Sequence, residues 1–365
     1  MLLQTQTHAL IEPFMPILKK YLIQRTFDLA RLAMGKVSPN PIVGSVISTP
    51  NKIIGEGYHK KYGEAHAEVN ALLSVRQNNS KKITESSISV SLEPCNFHGN
   101  TPACTDLIIS KGIPRVNIST IDRTAKVNSA GLDKLKANGN EVSYGIIESK
   151  GRFVARVRNT FVTQNRPYII LKYAQSKDGF IGQQGNQIWL SNSYCKRLVH
   201  KWRSEVTAIM VGTNTVLVDN PELTTRLYSS KSPLRVIIDK SGQISPQAHV
   251  KNDKASSWIY THKINQPKSK AIEYRQIKSD DTLLSQVCLD LYDNRCNTLL
   301  VEGGAKLLNS FISAGLWDEA RIITSPNLLS HGIPAPPLEG HSISKFDMYT
   351  DVIELVINPN NVIYS

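Results

Sequence analysis

GEAHAEVNA at residues 63–71 and SLEPCNFHGNTPACTD at residues 91–106 decide the fold of the first half of this chain, because together they supply His66, Glu68, Cys95 and Cys104. One imidazole and two thiolates suit Zn²⁺, and three ligands leave its fourth position open to water. Zinc lowers the pKa of such a water towards about 7. The sequence therefore predicts one zinc ion per chain, held by His66, Cys95 and Cys104, with Glu68 as a nearby carboxylate that is not needed as a ligand.

The spacing of His66 and Glu68 indicates where they lie. An ideal helix turns by roughly 100° per residue, so these two residues cannot share a face in the middle of a helix. We expect both at the first turn of a helix whose body is EVNALLSV, and a second helix, CTDLIISKG, that begins at Cys104.

A lone HxE triplet or a lone Pro-Cys pair carries little information, since both arise often by chance. In this order and about thirty residues apart, they resemble the signature of the zinc-dependent nucleobase deaminases, in which the glutamate is the general acid and base. The common signature closes as PCxxC, whereas here eight residues separate Cys95 from Cys104. This spacing, within the words EPC and TPAC, resembles the riboflavin-pathway pyrimidine deaminases. A structural zinc or a degenerate site is the alternative.

The resemblance continues along the chain, from about Tyr21 to near the C-terminus. SPNPIVGSVI at residues 38–47 looks like the strand and substrate loop of that deaminase, with Asn40 the expected contact to the pyrimidine edge. PYIILKYAQSKDG, AIMVGTNTVLVDNPELTTR and LLVEGGAKLLNSFISAGLWDEARIITSP follow in the order found in the reductase half of the bifunctional riboflavin biosynthesis deaminase/reductase family. The resemblance implies an α/β chain with a cytidine-deaminase-like α/β/α domain and a dihydrofolate-reductase-like α/β domain that binds NADPH.

Domain limits follow from the motifs and from composition. We expect an N-terminal extension over residues 1–20, a zinc-dependent deaminase domain over 21–148 and a reductase domain over 167–365. The linker at 149–166 is expected to be helical, because Phe153, Val154, Val157 and Phe161 recur at helical spacing.

The second half indicates nucleotide binding even without the resemblance. TLLVE at residues 298–302 is typical of a buried strand and is followed by Gly303, Gly304 and an amphipathic segment. AIMVG, followed by Thr213, shows the same order. A strand, a tight turn and a helix N-terminus present N–H groups to an anion, although a Gly-Gly pair alone is as readily a tight turn. Neither GxGxxG nor GxxxxGK occurs, so neither a Rossmann fingerprint nor a P-loop is available.

The resemblance implies roles for individual reductase residues. Positions that match contacts to the nicotinamide cofactor are Ala174, Trp189, Thr215, Asp219, Gly303, Gly304, Ala305 and Lys306. Positions that match the surroundings of the sugar-phosphate substrate are Lys172, Gln187, Arg203, Leu223, Arg226 and Glu302. A guanidinium is a natural bidentate partner for phosphate. Taken alone, Arg203 could be a solvated helix residue, Trp189 a core aromatic and Asp219 a turn former. Lys172, Asp219 and Glu302 are the candidates for handling sugar hydroxyls and a proton.

Two loops depart from the family pattern. Gln187 stands where the family usually has a serine that contacts the substrate phosphate, and its amide could still donate. In the zinc loop the family usually has a histidine and an aromatic residue after Cys-Ser and a basic residue after the glycine, whereas this chain reads NFHGN at residues 96–100. We therefore expect the deaminase site to lack the usual cationic partner at Asn100, which would weaken substrate binding more than the chemical step.

Composition sets outer limits. The chain has 365 residues, of which 41% are hydrophobic and 20% charged, as in ordinary soluble two-domain proteins. No apolar run approaches the roughly 18 residues of a membrane span, and the first twenty residues lack the pattern of a secretory signal. Cys195, Cys288 and Cys296 do not form a disulfide framework. We therefore expect a cytoplasmic protein with no membrane partner.

The net charge of +13 raises the alternative of nucleic-acid binding, since some zinc deaminases act on tRNA. The basic residues, however, form separate short clusters without interleaved aromatics, which favours a solvated surface and anionic small-molecule substrates. We expect a phosphoribosylaminopyrimidine substrate and no nucleic acid; a homo-oligomer is left open. The expected function is deamination of a diaminopyrimidine to an aminouracil, followed by NADPH-dependent reduction of its ribosyl chain to a ribityl chain. A nucleic-acid base deaminase and a non-catalytic zinc-stabilised protein are the two alternatives.

Overall fold

The computed structural model describes residues 15–98, 102–263, 269–278 and 282–361. Two compact units divide between Gln164 and Asn165. The predicted extension over residues 1–20 lies outside the described residues up to residue 14, and the first helix begins at Met15. No helix in the described ranges combines the length and the hydropathy that crossing a membrane requires.

The first unit is built on a five-stranded mixed sheet. Its strands are β1 (Gly44–Thr49), β2 (Lys52–Tyr58), β3 (Ser87–Leu92), β4 (Arg115–Thr120) and β5 (Glu141–Ser143). The order in space is β2-β1-β3-β4-β5, with β1 antiparallel to both of its neighbours and β3, β4 and β5 parallel.

Helices cover both faces of this sheet. They are α1 (Met15–Arg31), α2 (Ala67–Leu73), α3 (Cys104–Ser110), α4 (Ala130–Ala137) and α5 (Glu148–Gln164), with a 3₁₀ helix over Gln77–Glu85. Ala71, Ile108 and Leu135 bring α2, α3 and α4 into one buried cluster with the central strands. Phe27 of α1 and Val154 of α5 pack together in a separate cluster. The result is the three-layer α/β/α arrangement that the resemblance implied.

Helix α5 covers most of the segment predicted as a linker and belongs to the first unit. Its buried residues include Gly151, Val154, Ala155 and Phe161. A side chain at Gly151 would collide with Ser119 of β4, so the absence of a Cβ there lets the helix pack directly on the sheet.

The second unit contains a nine-stranded sheet in the order β11-β10-β9-β8-β12-β6-β13-β16-β15. Its strands are β6 (Tyr168–Gln175), β8 (Ala208–Gly212), β9 (Leu234–Ile238), β10 (Ser257–Thr261), β11 (Ile272–Gln276), β12 (Thr298–Val301), β13 (Glu319–Thr324), β15 (His341–Met348) and β16 (Asp351–Ile357). The first seven strands in this order are parallel to one another, β16 is antiparallel to β13, and β15 is antiparallel to β16. A separate two-stranded sheet joins β7 (Phe180–Gly182) and β14 (Ile333–Pro334).

Parallel strands that carry helices on their faces are buried on both sides and therefore apolar throughout. All four residues of β12 are buried, as expected from the run TLLV. The helices of this unit are α6 (Ser193–Ser204), α7 (Thr213–Asp219), α8 (Leu283–Asp293) and α9 (Ala305–Ser313), with a 3₁₀ turn over His249–Lys251. As predicted, α7 follows β8 directly and α9 follows β12 after Gly303 and Gly304.

Candidate active sites

The three predicted zinc ligands come together in the first unit. His66 is the N-cap of α2, Cys95 lies in the loop after β3, and Cys104 is the first residue of α3. Their ligand atoms all lie within 4.8 Å of one another. His66 Nδ1 is 3.3 Å from Cys104 Sγ and 3.7 Å from Cys95 Sγ. One nitrogen and two sulfurs at this spacing are a donor set that fits Zn²⁺.

A shared proton links the two thiols of this cluster. Hydrogen bonding from Cys104 lowers the pKa of Cys95 to about 4, and the neighbouring His66 adds to this effect. The same pairing and burial raise the pKa of Cys104 well above its ordinary value. Cys95 is therefore ready to ligate a cation as a thiolate, and metal binding at Cys104 releases a proton.

Glu68 lies in the first turn of α2, as the spacing of His66 and Glu68 predicted. Its side chain is buried, with 3% of the residue exposed. Burial raises the pKa of Glu68, and the negative Cys95 raises it further. A carboxyl group that is more readily protonated than usual, next to a metal-binding cluster, is suited to carry a proton near neutral pH.

A cavity of about 290 Å³ opens onto this cluster, and the predicted substrate residue Asn40 lines it together with Glu68. His59, which the sequence reasoning missed, lines it as well. His59 Nδ1 is 3.1 Å from the Ala65 carbonyl, so it carries the proton of the neutral ring. Its Nε2 accepts from Asn40 Nδ2 at 3.2 Å, and burial lowers the pKa of His59, which keeps the ring neutral.

The same end of β3 supplies Glu93, another residue that the sequence reasoning missed. Glu93 accepts N–H bonds from Asp122, Ser129 and Gly131 at 3.3, 3.1 and 2.9 Å. This buried carboxylate therefore fixes the loop between β4 and α4, whose Asp122 also lines the cavity. The word EPC, singled out for its cysteine, was the available signal for Glu93. Asn100, the residue in place of the usual basic one, lies outside the described residues.

In the second unit a larger cavity, about 650 Å³, gathers most of the predicted reductase residues. Ala305 and Lys306 lie on α9 and are not part of its lining. The predicted residues that line it are Ala174, Trp189, Thr215, Asp219, Gly303 and Gly304 from the cofactor set, and Lys172, Gln187, Arg203, Leu223, Arg226 and Glu302 from the substrate set.

Arg203 and Glu302 are paired at the base of this cavity. The Arg203 guanidinium donates from Nε and Nη2 to the two carboxylate oxygens at 2.8 Å each, and Lys172 Nζ lies 3.9 Å from the same carboxylate. Burial alone would raise the pKa of Glu302, but the charges of Arg203 and Lys172 outweigh it and lower the pKa to about 2. The guanidinium of Arg203 already binds the Glu302 carboxylate. The more exposed Arg226 is therefore more available to bind a ligand phosphate.

Two strand ends meet at the side of this cavity where the cofactor is expected. The Gly304 N–H donates to Thr215 Oγ1 at 3.1 Å, which ties the turn after β12 to the start of α7. Trp189 is 65% exposed and lies under the Lys196 ammonium, 4.7 Å from the ring centroid. A flat, exposed aromatic beside two glycine-bearing turns fits a dinucleotide, with N–H groups for its phosphates.

His200 is a further cavity residue that the sequence reasoning missed. It lies on α6, is 2% exposed, and its Nδ1 has no hydrogen-bond partner among the described residues. Burial and then the charges of Arg203 and Arg226 lower the pKa of His200 to about 4. The imidazole is therefore neutral at pH 7.

Comparisons with known proteins agree with both sites. Residues 18–120 match the cytidine and deoxycytidylate deaminase zinc-binding region, and residues 167–346 match the RibD C-terminal domain. The riboflavin biosynthesis protein RibD of Aquifex aeolicus is 34% identical over 333 residues, which are 89% of this chain and 92% of that protein. RibD of Escherichia coli strain K12 is 32% identical, with 85% of this chain and 88% of that protein covered.

Solved structures give the same result. The diaminohydroxyphosphoribosylaminopyrimidine deaminase/5-amino-6-(5-phosphoribosylamino)uracil reductase of Thermotoga maritima is 30% identical, with a TM-score of 0.86 over 94% of this chain and 99% of that chain. RibD of Acinetobacter baumannii is 26% identical, with a TM-score of 0.82 over 93% and 98%. The predicted fold class is thereby confirmed, and so is the use of Zn²⁺ and NADPH. The chain belongs to the RibD family of riboflavin biosynthesis proteins, which join a zinc-dependent deaminase to a reductase.

Proposed function

We propose that the first unit deaminates 2,5-diamino-6-(5-phosphoribosylamino)pyrimidin-4-one to 5-amino-6-(5-phosphoribosylamino)uracil, and that the second unit then reduces the ribosyl group with NADPH. The observation that carries this proposal is the buried Glu68 beside the His66, Cys95 and Cys104 cluster, at one cavity. The activity for which the Thermotoga maritima enzyme is named supports the choice of substrate.

Four residues of the first unit carry out two tasks in the proposed deamination. His66, Cys95 and Cys104 hold the zinc, which supplies a water of lowered pKa when bound. Glu68 takes one proton from the attacking water and delivers it to the ring nitrogen; it then takes the second proton from the new hydroxyl group and delivers it to the amino group, which leaves as ammonia while the carbonyl forms. The raised pKa of Glu68 lets it both accept a proton from water and donate one to the substrate.

The ring itself needs orientation. Asn40 and the neutral His59, which hydrogen-bond to each other, are placed to bind the polar edge of the pyrimidine. Because Nδ1 of His59 is fixed on the Ala65 carbonyl, Nε2 faces Asn40 as an acceptor and holds the amide in one orientation.

In the proposed reduction, NADPH supplies the hydride to the ribosyl C1 position when bound, and the protein orients the reactants. Lys172 is partly buried beside Glu302, and desolvation lowers the pKa of Lys172, which makes it a better proton donor to the opening sugar. Glu302 and Asp219 are placed to bind hydroxyl groups, and Arg226 and Gln187 to bind the phosphate. Ala305 and Lys306, at the start of α9, are proposed to contact the cofactor phosphates.

The proposal also covers the setting of the enzyme: a cytoplasmic protein that acts on a small molecule and needs no nucleic acid. The basic surface then serves to attract two phosphate-bearing ligands.

The test is to incubate purified protein with the diaminopyrimidine phosphate, with and without NADPH, and to identify the products by mass spectrometry. We expect the aminouracil alone without NADPH and its ribityl form with NADPH. Turnover of an RNA substrate instead, with RNA affinity that falls steeply with salt, would overturn the proposal.

A further inference from the structure

Arg158 of α5 lines the deaminase cavity, although the sequence reasoning placed it in a linker. Among the described residues that line this cavity, Arg158 is the one lysine or arginine. The acidic side chains there are Glu64, Glu68, Glu93 and Asp122. Arg158 is therefore the permanent positive charge in a mostly acidic cavity.

One end of the Arg158 guanidinium is fixed by a short chain of hydrogen bonds. Nη2 donates to Thr124 Oγ1 at 2.9 Å. The Thr124 hydroxyl in turn donates to Asp122 Oδ1 at 2.5 Å, and the Thr124 N–H donates to the same oxygen at 2.8 Å. Because the hydroxyl donates to Asp122, its lone pair faces Arg158 and orients the guanidinium.

A second donor of Arg158 lacks a partner. Its Nε is buried and has no hydrogen-bond partner in the described part of the chain, and no carboxylate there forms an ion pair with it. By contrast, Arg152 on the same helix is paired with Glu148 at 2.8 Å. A buried donor on a charged group costs free energy while it lacks an acceptor, so an anionic ligand would recover that cost.

We propose that Arg158, oriented by Thr124, forms the phosphate subsite of the deaminase cavity. This rests on the proposed function, because the phosphate is the anionic group of the proposed substrate. A guanidinium with free N–H groups can bind a phosphate through two parallel hydrogen bonds. The subsite also accounts for the departure from the family pattern at residue 100. Asn100 stands in place of a basic residue, and the positive charge is supplied by Arg158 of α5 instead.

The other lining residues suit the remaining parts of the substrate. Asn40 and His59 are neutral and suit the polar edge of a heterocycle, and Glu68 is the acid-base group. Arg158 acts on binding and not on proton transfer, so its removal should change KM and leave kcat nearly unaltered.

The test compares deamination of the phosphorylated substrate with that of its dephosphorylated counterpart, in the full-length protein and in Arg158→Met. The wild-type protein should prefer the phosphorylated form by roughly 10- to 100-fold in kcat/KM, the range expected for hydrogen bonds to a charged group. Arg158→Met should lose this preference through a higher KM for the phosphorylated form alone. Arg158→Lys should keep part of it.

The matched control is Arg156→Met on the same helix, since Arg156 stacks on Phe153 and does not line the cavity. It should retain the wild-type preference. The zinc content of each variant reports whether the first unit is folded, because His66, Cys95 and Cys104 come together only in the folded unit. If Arg158→Met keeps the preference, or loses the same factor on both substrates, the subsite is refuted.

Failure of the proposed function gives a different result. If the wild-type protein deaminates neither compound, phosphate binding still tests the subsite by calorimetric titration of inorganic phosphate. Both proteins then carry Arg226→Gln, which removes the more exposed cation from the cavity of the second unit and leaves the Arg203–Glu302 pair intact. One phosphate site that disappears with Arg158→Met supports the subsite; equal binding in both proteins overturns it.

Discussion

Arg203 and Glu302 form a two-pronged ion pair that joins α6 to the end of β12, with both N–O distances 2.8 Å. The two side chains are only 12% and 8% exposed. Removing one partner of such a pair leaves a buried charge, which typically costs about 3–5 kcal/mol, whereas removing both costs less.

We expect Glu302→Gln to destabilise the second unit strongly and Arg203→Met/Glu302→Gln to recover part of the loss. All four tryptophans of the chain, at positions 189, 202, 258 and 317, lie in this unit. Urea unfolding followed by tryptophan fluorescence therefore reports on the second unit alone. Additive losses in the double variant would show that the pair is not coupled.

The neutral His200 makes the stability of the second unit depend on pH. Its pKa is about 4 in the folded state and near 6.5 in the unfolded chain. Between these values the unfolded chain binds a proton that the folded one excludes, so stability should fall as the pH drops from 6.5 to 4. In His200→Gln this fall should be shallower.

The control for this prediction is His341→Gln, because His341 is exposed on β15. Urea unfolding at several pH values should give the wild-type slope for His341→Gln. An unchanged slope in His200→Gln would contradict the assignment.

Loss of a zinc ligand should separate the two activities. Cys104→Ser should release zinc and abolish deamination, because the site then has two ligands, while reduction of the aminouracil continues in the second unit. Metal content by atomic absorption and the two assays measure this. Cys296→Ser is the control, since Cys296 lies in the second unit and should leave zinc and deamination unaltered.

Trp189 offers a direct signal for cofactor binding. It is 65% exposed at the reductase cavity, so NADPH should cover it and quench its fluorescence by energy transfer. Trp189→Phe should lose most of this quenching and bind NADPH more weakly, by roughly tenfold or less, as expected for one aromatic contact. Trp258→Phe should retain it, because Trp258 stacks on Arg275 of β11 away from this cavity. Equal quenching in both variants would exclude Trp189 from the cofactor site.

The sequence predicted the local parts of the sites well. The offset between His66 and Glu68 excludes the middle of a helix, and both residues do lie at the start of α2; Cys104 likewise begins a helix. The strand, turn and helix around Gly303 were likewise visible, because buried parallel strands and glycine turns leave local patterns.

Residues that act through distant contacts were not predictable. His59 depends on the Ala65 carbonyl and Asn40, and His200 on the charges of Arg203 and Arg226, which only the folded chain brings together. Arg158 was hidden because helical spacing shows which side of a helix is buried and not which cavity that side borders. The antiparallel pair β15 and β16 had no local signal among the sequence motifs.

The most direct test of the account is NADPH oxidation by Glu68→Gln, followed by absorbance, with either the diaminopyrimidine phosphate or the aminouracil phosphate as substrate. If Glu68 is the acid-base group of a separate first step, deamination should fall by about 10²- to 10⁴-fold. Oxidation should then be nearly absent with the diaminopyrimidine and as fast as in the wild-type protein with the aminouracil. Wild-type oxidation with the diaminopyrimidine would contradict the account: a deaminated product would refute the role of Glu68, and a reduced product that keeps its amino group would refute the order of the two steps.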